Sequence, residues 1–148
     1  MELLLKVALL LLSTLFAGVV LFLSTVMRTT FNALSTEHYR TVFANVIVAG
    51  RASTAINFLV LTPLALLTAY LLMGYRDRMF VAGALCSILG SFVTSVAVNE
   101  PLYRQLLQTE PTRSSELLRL RRLLNQANLL RATLSLTGSL LVALSVAF

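Results

Sequence analysis

The five residues GYRDR, residues 74–78, separate two apolar runs at residues 52–73 and 79–98. Each run is long enough to cross the hydrocarbon core of a bilayer, which takes about 20 residues of helix. A connection this short does not let the chain return across the membrane, so the two runs must be antiparallel neighbours. The stretch therefore predicts a membrane-spanning helical hairpin.

The composition extends this prediction to the whole chain. Of its 148 residues, 57% are hydrophobic and 12% are charged, whereas a typical soluble domain has about 25% charged residues. Two further apolar runs lie at residues 3–26 and 124–147, and the first is too long for the apolar core of a signal peptide. We predict an all-α fold: one domain over residues 1–148, an integral membrane four-helix bundle in up-down-up-down order.

The two long connections, at residues 27–51 and 99–123, are predicted to contain short extra helices. TEHYRTVFANVIVAG, residues 36–50, can form a helix that leads into the second span. TRSSELLRLRRL, residues 112–123, places leucines against arginines, as an interfacial amphipathic helix does. Pro101 is predicted to stop or kink the third span, because proline removes a backbone donor.

Small residues at helical spacing form a stripe on each of the last two spans. On the third span the stripe contains Gly83, Ser87 and Gly90, and on the fourth it contains Ala132 and Ser135. Such stripes let helix backbones approach closely in lipid. We predict that they serve helix packing.

Polar residues gather where an up-down-up-down bundle brings four span ends to one membrane face. Asparagine and arginine are costly inside a membrane and typically face the bundle interior or a wet cavity. We therefore predict a ligand-binding site at this face, with helix capping and hydrogen bonds across the bundle as the alternative. The predicted ligand-binding residues are Arg51, Asn57, Asn99, Asn125, Asn128 and Arg131.

Glu100 and His38 are the candidates for acid–base chemistry, and the catalytic residues are otherwise unknown. Glu100 is the only acid directly at a span end, where an ion pair with Arg104 at i+4 is the alternative. His38 is the only histidine, a residue type that often serves as a general acid or base, with an exposed loop position as the alternative.

The residue types argue against metal and cofactor chemistry. One cysteine and one histidine, with no acid well inside a span, do not suit a haem bundle, a di-iron bundle or a quinone-linked disulfide enzyme. We therefore predict no metal site and no cofactor.

The net charge of +6 does not indicate a nucleic-acid partner, because no basic patch is interleaved with aromatic residues. The two long connections carry eight Lys and Arg residues and the opposite side carries three. The positive-inside rule then predicts that the polar face is cytoplasmic and that both termini lie outside. The predicted partners are the lipid bilayer and an apolar or aromatic small molecule, and a homo-oligomer is left open.

Three segments together suggest a family. A small-residue first span contains FAGVVLF, residues 16–22; the third span ends in NEPLYRQL, residues 99–106; and LRRLLNQANLLRATLSL, residues 120–136, enters the fourth. This order resembles the four-span membrane family that contains the fungal anthrone oxygenases and many bacterial proteins of unknown function. The best matches are Asn-x-Pro-Leu at Asn99–Leu102 and Asn-x-x-Arg at Asn128–Arg131.

The resemblance implies a cofactor-free oxygenase that acts with O₂ on an aromatic, anthrone-like molecule in a cavity at the polar face. It also implies a bacterial inner (plasma) membrane location. Arg51, Arg131 and the asparagines would then stabilise a substrate anion, as preorganised donors stabilise developing charge. The alternative is a non-catalytic membrane protein that binds a lipid, an apolar metabolite or partner helices.

Overall fold

The turn at residues 74–78 is built by Gly74 and Asp77. Gly74 has a φ of 84°, a left-handed conformation that commonly ends helices and that glycine adopts without a Cβ clash. Asp77 Oδ1 accepts hydrogen bonds from the backbone N–H groups of Met79 at 2.9 Å and Phe80 at 3.2 Å. The aspartate thereby caps the next helix by satisfying donors that have no partner within it.

The computed structural model describes residues 1–148 and contains helices but no strands. A connecting helix, Thr36–Ala52, lies between the first and second of four helices that are long and apolar enough to cross a membrane. These are the first span Glu2–Ala33, the second span Thr54–Leu72, the third span Arg78–Gln108 and the fourth span Ser114–Ala147. The prediction of an all-α membrane helical bundle is confirmed.

The third span does not end before Pro101. Of the two alternatives predicted for this proline, a stop is therefore wrong, and a kink stays a prediction. Two π-helical turns, Leu89–Val93 and Ser95–Asn99, precede an α-helical segment over Glu100–Gln108. Pro101 lies in the first turn of that segment. A π-helical turn is wider than an α-helical one, which leaves the proline ring room against the carbonyl four residues earlier.

The fourth span begins at Ser114, ten residues before the predicted start. The helix expected over residues 112–123 is therefore continuous with the fourth span and not a separate interfacial helix. Its leucines Leu117, Leu120 and Leu124 are almost completely buried in one apolar cluster with Phe43 of the connecting helix. This burial extends the helix beyond the membrane-spanning part of the chain.

Contacts at the end of the bundle opposite the polar face join all four spans. Lys6, near the start of the first span, forms an ion pair with Asp77 and donates a hydrogen bond to Ser145 O at 3.1 Å. Tyr70, near the end of the second span, donates to Glu2 Oε1 at 2.7 Å. These are contacts that the up-down-up-down order requires; the order itself stays a prediction.

The third and fourth spans approach closely through glycine. A Cβ on Gly138 would lie 2.7 Å from Gly83 O, and a Cβ on Gly90 would lie 2.9 Å from Ser135 N. Real Cβ contacts are not this short, so only glycine allows this separation. The close contact fixes the height of the fourth span relative to the third, and with it the position of the arginine described below.

We expect the bundle to lose stability in acid through Asp77. The hydrogen bond from Lys6 is the main cause that holds the pKa of the Asp77 carboxyl below its ordinary value of 3.8. A carboxyl whose pKa is lowered by folding stabilises the native state above its unfolded pKa and loses that contribution as the pH falls through the folded pKa. The melting temperature in detergent should therefore drop as the pH is lowered below 3.8.

Asp77→Asn should make the melting temperature less sensitive to acid. It should also lower stability at neutral pH by up to about 1 kcal/mol, since it removes the ion pair with Lys6, while asparagine can still cap the helix. Glu116→Gln is the matched control, because Glu116 is an acid on an exposed pair with Arg113. If the melting temperature of Asp77→Asn fell with decreasing pH as steeply as that of the wild type, the prediction would be contradicted.

Candidate functional site

A cavity of about 740 Å³ lies between the spans at the polar end of the bundle, within the size range of small-molecule sites. All four spans and the connecting helix contribute to its wall, which is mainly apolar; Phe16, Val20 and Phe92 are examples. The polar residues of the wall are Arg51, Ser53, Asn57, Ser95, Glu100, Tyr103, Asn128 and Arg131.

The connecting helix covers the outer end of the cavity with Phe43 and Ile47, both buried. Arg40 fastens this helix to the end of the third span: its Nε donates to Thr109 O at 2.7 Å and its Nη2 to Leu107 O at 2.8 Å. We call the connecting helix, Thr36–Ala52, the cap. Its attachment by two short hydrogen bonds and an apolar cluster makes it a fixed part of the site.

Arg131 is the deepest charged group of the cavity. Arg131 is 7% exposed. Its Nε donates to Gly90 O at 3.4 Å, and its Nη1 donates to Asn128 Oδ1 at 3.5 Å. Gly90 precedes Glu100 by ten residues, or about 15 Å along a helix. No carboxylate forms an ion pair with Arg131, and its Nη2 has no hydrogen-bond partner in the protein.

Asn99 lies behind the cavity wall. It is completely buried, and its Nδ2 donates to Tyr103 Oη at 3.1 Å and to Asn128 Oδ1 at 3.4 Å. Because the Tyr103 oxygen accepts this bond, the tyrosine keeps its own O–H free to donate. Asn99 therefore orients two wall residues while making no contact with the cavity itself.

An ion-pair cluster stands at the mouth of the cavity. Glu100 Oε1 accepts hydrogen bonds from Arg51 Nη2 at 2.7 Å and from Arg104 Nε at 3.1 Å. Asn57 supports the cluster, because its Nδ2 donates to Arg51 O at 3.0 Å. The second oxygen of Glu100, Oε2, has no hydrogen-bond partner. The i+4 ion pair with Arg104, which is the alternative role considered for Glu100, is present. Arg51 at the end of the cap also pairs with Glu100.

The residues predicted to bind ligand occupy three different places. Asn99 is behind the wall, as described, and Asn125 lies outside the cavity with its Nδ2 3.4 Å from Asn32 Oδ1 of the first span. The remaining four line the cavity: Arg51, Asn57, Asn128 and Arg131. Ligand binding by any of them stays a prediction.

The two acid–base candidates lie in different places. Glu100 lines the cavity and is the only acid that does so. His38 is exposed in the first turn of the cap, where Ser35 Oγ lies 2.8 Å from its Nδ1, and it does not line the cavity. Of the two, only Glu100 can reach a molecule bound there.

Two residues of this region were not singled out from the sequence as site residues. Tyr103 lines the cavity, and no spacing in the sequence marked it, because Asn99 at i−4 lies behind the wall. Arg121 is buried and donates to Leu34 O at 3.1 Å, and its guanidinium lies 4.2 Å from the centre of the Tyr39 ring. This arginine holds the end of the first span and the cap together, away from the cavity.

The cavity contains no ready set of metal ligands. No group of three or more His, Cys, Asp or Glu side chains in the chain lies close enough together to hold a metal ion. The polar chemistry of the site is therefore that of arginine, amide, hydroxyl and one carboxylate.

Comparisons of the chain with protein-family models, curated proteins and solved structures found no match. The function must therefore be inferred from the cavity and its residues.

Proposed function

We propose that this membrane protein binds an apolar or aromatic small molecule that carries an acidic group, and that Arg131 binds that group. The single observation that carries the proposal is the buried guanidinium of Arg131, which lines a mainly apolar cavity and has no carboxylate partner. A buried charge without a partner costs several kcal/mol. A bound anion offsets this cost.

The neighbouring groups suit the same ligand. Arg131 Nη2 and Asn128 Nδ2 donate to no group in the protein, and Tyr103 Oη accepts from Asn99 but donates to none. All three residues line the cavity. A carboxylate or phenolate oxygen accepts from such donors, and hydrogen bonds to a charged group contribute about 1.5–3 kcal/mol each. The apolar wall would hold the remainder of the molecule.

The proposal predicts selectivity for an acid over its ester. Anthracene-9-carboxylate should bind to the purified protein at least about tenfold more tightly than its methyl ester, a difference of about 1.4 kcal/mol. The two probes share the ring system and differ in the charge that Arg131 would bind. Fluorescence titration in detergent measures both affinities. Equal affinities, or tighter binding of the ester, would contradict the proposal.

A second candidate function is oxidation of the bound molecule by O₂ without a cofactor, which the sequence resemblance implies. The observation that favours it is Glu100, the only acid that lines the same cavity as Arg131; its Oε2 accepts no hydrogen bond from the protein. We propose that Glu100 accepts a proton from the substrate methylene and that Arg131 stabilises the resulting anion. For anthrone the balance is C₁₄H₁₀O + O₂ → C₁₄H₈O₂ + H₂O, in which the methylene carbon supplies four electrons.

Oxygen uptake tests this reaction. Purified protein with anthrone should consume O₂ faster than the protein-free blank, and Glu100→Gln should reduce the excess rate by about 10²-fold or more, as expected for loss of a proton acceptor. Glu110→Gln, an exposed acid on the loop before the fourth span, is the matched control. Acid-selective binding without excess O₂ uptake would leave the non-catalytic alternative as the function.

We also propose an up-down-up-down order with the polar face in the cytoplasm of a bacterial inner membrane and both termini outside, on the arginine distribution. A topology reporter fused after Phe148 tests this orientation. A cytoplasmic signal from that fusion would overturn it.

A further inference from the structure

The third span is contacted at two levels near the cavity opening, once by the second span and once by the end of the cap. At the deeper level, Ser91 Oγ donates to Val60 O at 3.4 Å. At the outer level, Arg51 Nη2 lies 2.7 Å from Glu100 Oε1. On the third span, nine residues separate Ser91 from Glu100, which corresponds to about 13 Å of helix.

Between these two contacts the wall of the cavity opens to the surroundings. Val96 of the third span lines the cavity and is 56% exposed, and Leu61 of the second span lines it and is 51% exposed. A side chain that both lines a cavity and is half exposed marks its edge. We call this opening, bounded by Leu61 and Val96, the window.

The window lies at the depth of lipid acyl chains. The second span, Thr54–Leu72, has 19 residues, or about 28 Å of helix, and so just matches a hydrocarbon core of about 30 Å. Val60 lies six residues, about 9 Å, inside its outer end. The side chains that bound the window, Leu61 and Val96, carry no charge.

The outer end of the cavity is partly covered and carries charged and polar groups. The cap covers the outer end of the cavity with Phe43 and Ile47, and Arg40 holds it through the carbonyls of Thr109 and Leu107. The ion pair of Arg51 with Glu100 lies between the water side and the window. A ligand from the aqueous phase would pass the charged pair of Arg51 and Glu100, whereas the apolar part of a ligand from the lipid meets the half-exposed apolar side chains Leu61 and Val96.

We infer that the ligand enters from the lipid phase through the window, which makes its class a membrane-dissolved acidic amphiphile. Inside the cavity, the acidic group of the ligand binds Arg131, and its apolar body fills the space between Phe16 and the window. The inference rests on the proposed function, because it requires that an acidic amphiphile occupies the cavity.

Brominated stearate in lipid vesicles tests this route, because bromine quenches tryptophan on contact and the chain contains no tryptophan. Phe16→Trp places the reporter in the cavity, and Phe22→Trp, half exposed on the same span and outside the cavity, is the control reporter. Phe43→Trp is a second cavity reporter, to be used if Phe16→Trp unfolds the protein.

Val96→Phe narrows the window. Val93→Phe, also on the lipid-exposed side of the third span but not lining the cavity, is its matched control.

We expect 9,10-dibromostearate to quench the cavity reporter, and its methyl ester to quench it much less. Val96→Phe should slow this quenching about tenfold, the ratio given by a barrier increase of about 1.4 kcal/mol, and Val93→Phe should leave the rate unchanged. The control reporter should be quenched equally in every background. Equal rates in Val96→Phe and Val93→Phe, with the cavity reporter still quenched by the acid, would overturn the route and leave the proposed function standing. A cavity reporter that no brominated probe quenches would overturn the proposed function, and the route with it.

Discussion

Replacing Arg131 by methionine is expected to abolish the preference for an acidic ligand while leaving the protein folded and at least as stable as the wild type. The guanidinium is buried and has no counter-ion, so methionine removes a desolvation cost in the unliganded protein. That gain offsets the loss of two long hydrogen bonds, to Gly90 O at 3.4 Å and Asn128 Oδ1 at 3.5 Å, while methionine can still pack on the Phe16 ring. With ligand bound, removal of the buried partner of a charged group costs about 2–5 kcal/mol, which weakens binding about thirty-fold to several thousand-fold. Anthracene-9-carboxylate titration and thermal unfolding measure the two effects.

Arg121→Met provides a matched control with the opposite outcome. Arg121 is as buried as Arg131 and lies on the same helix, but it donates to Leu34 O and stacks on the Tyr39 ring. Its loss leaves buried carbonyls without donors, at a cost of about 1–3 kcal/mol each, while the cavity keeps its cation. If Arg131→Met were destabilised as much as Arg121→Met and still preferred the acid, Arg131 would be a structural residue.

Gly138→Ala is expected to destabilise the bundle, whereas Gly18→Ala is expected to stabilise it slightly. A Cβ at Gly138 would meet Gly83 O at 2.7 Å and Ser87 N at 2.8 Å. Both are backbone atoms, which cannot rotate away, so the third and fourth spans must separate. Overpacking of this kind costs about 1–3 kcal/mol and occasionally more.

Gly18 makes the comparison internal to the protein. It lies in the first span, and a Cβ there meets nothing within 4 Å, so alanine contributes only its better helix propensity, up to about 1 kcal/mol. Thermal unfolding in detergent, followed by circular dichroism, ranks the three proteins. A Gly138→Ala variant as stable as Gly18→Ala would show that the two spans are not held at the observed separation.

The fold class and the hairpin could be predicted because they depend on local properties of the chain. Four apolar runs and the short GYRDR turn are sufficient for a membrane helical bundle. The ends of the helices could not be predicted, because they depend on contacts with distant residues. The fourth span begins at Ser114 because Leu117 and Leu120 are buried against the cap. The sequence of residues 112–123 alone does not show that these leucines pack on the cap.

The candidate site could be predicted in part. Arg131 and Asn128 are polar groups inside an apolar helix, and this alone marks them as facing an interior. The places of Asn99 and Tyr103 could not be derived by counting residues from the small stripe, because two π-helical turns lie between Gly90 and Glu100. Each wide turn changes which face of the helix the following residues occupy. Asn99 therefore lies behind the wall, and Tyr103 lines the cavity.

The π-helical turns at Leu89–Val93 and Ser95–Asn99 also bear on how the length of this chain can vary. A single π-helical turn amounts to one extra residue accommodated within an α-helix, so each turn is a place where one residue can be deleted while the helix on both sides is retained. Homologous chains are therefore expected to differ by one-residue gaps within residues 89–99. Alignments that forbid gaps inside membrane spans would misplace Glu100 and Tyr103 in such homologues.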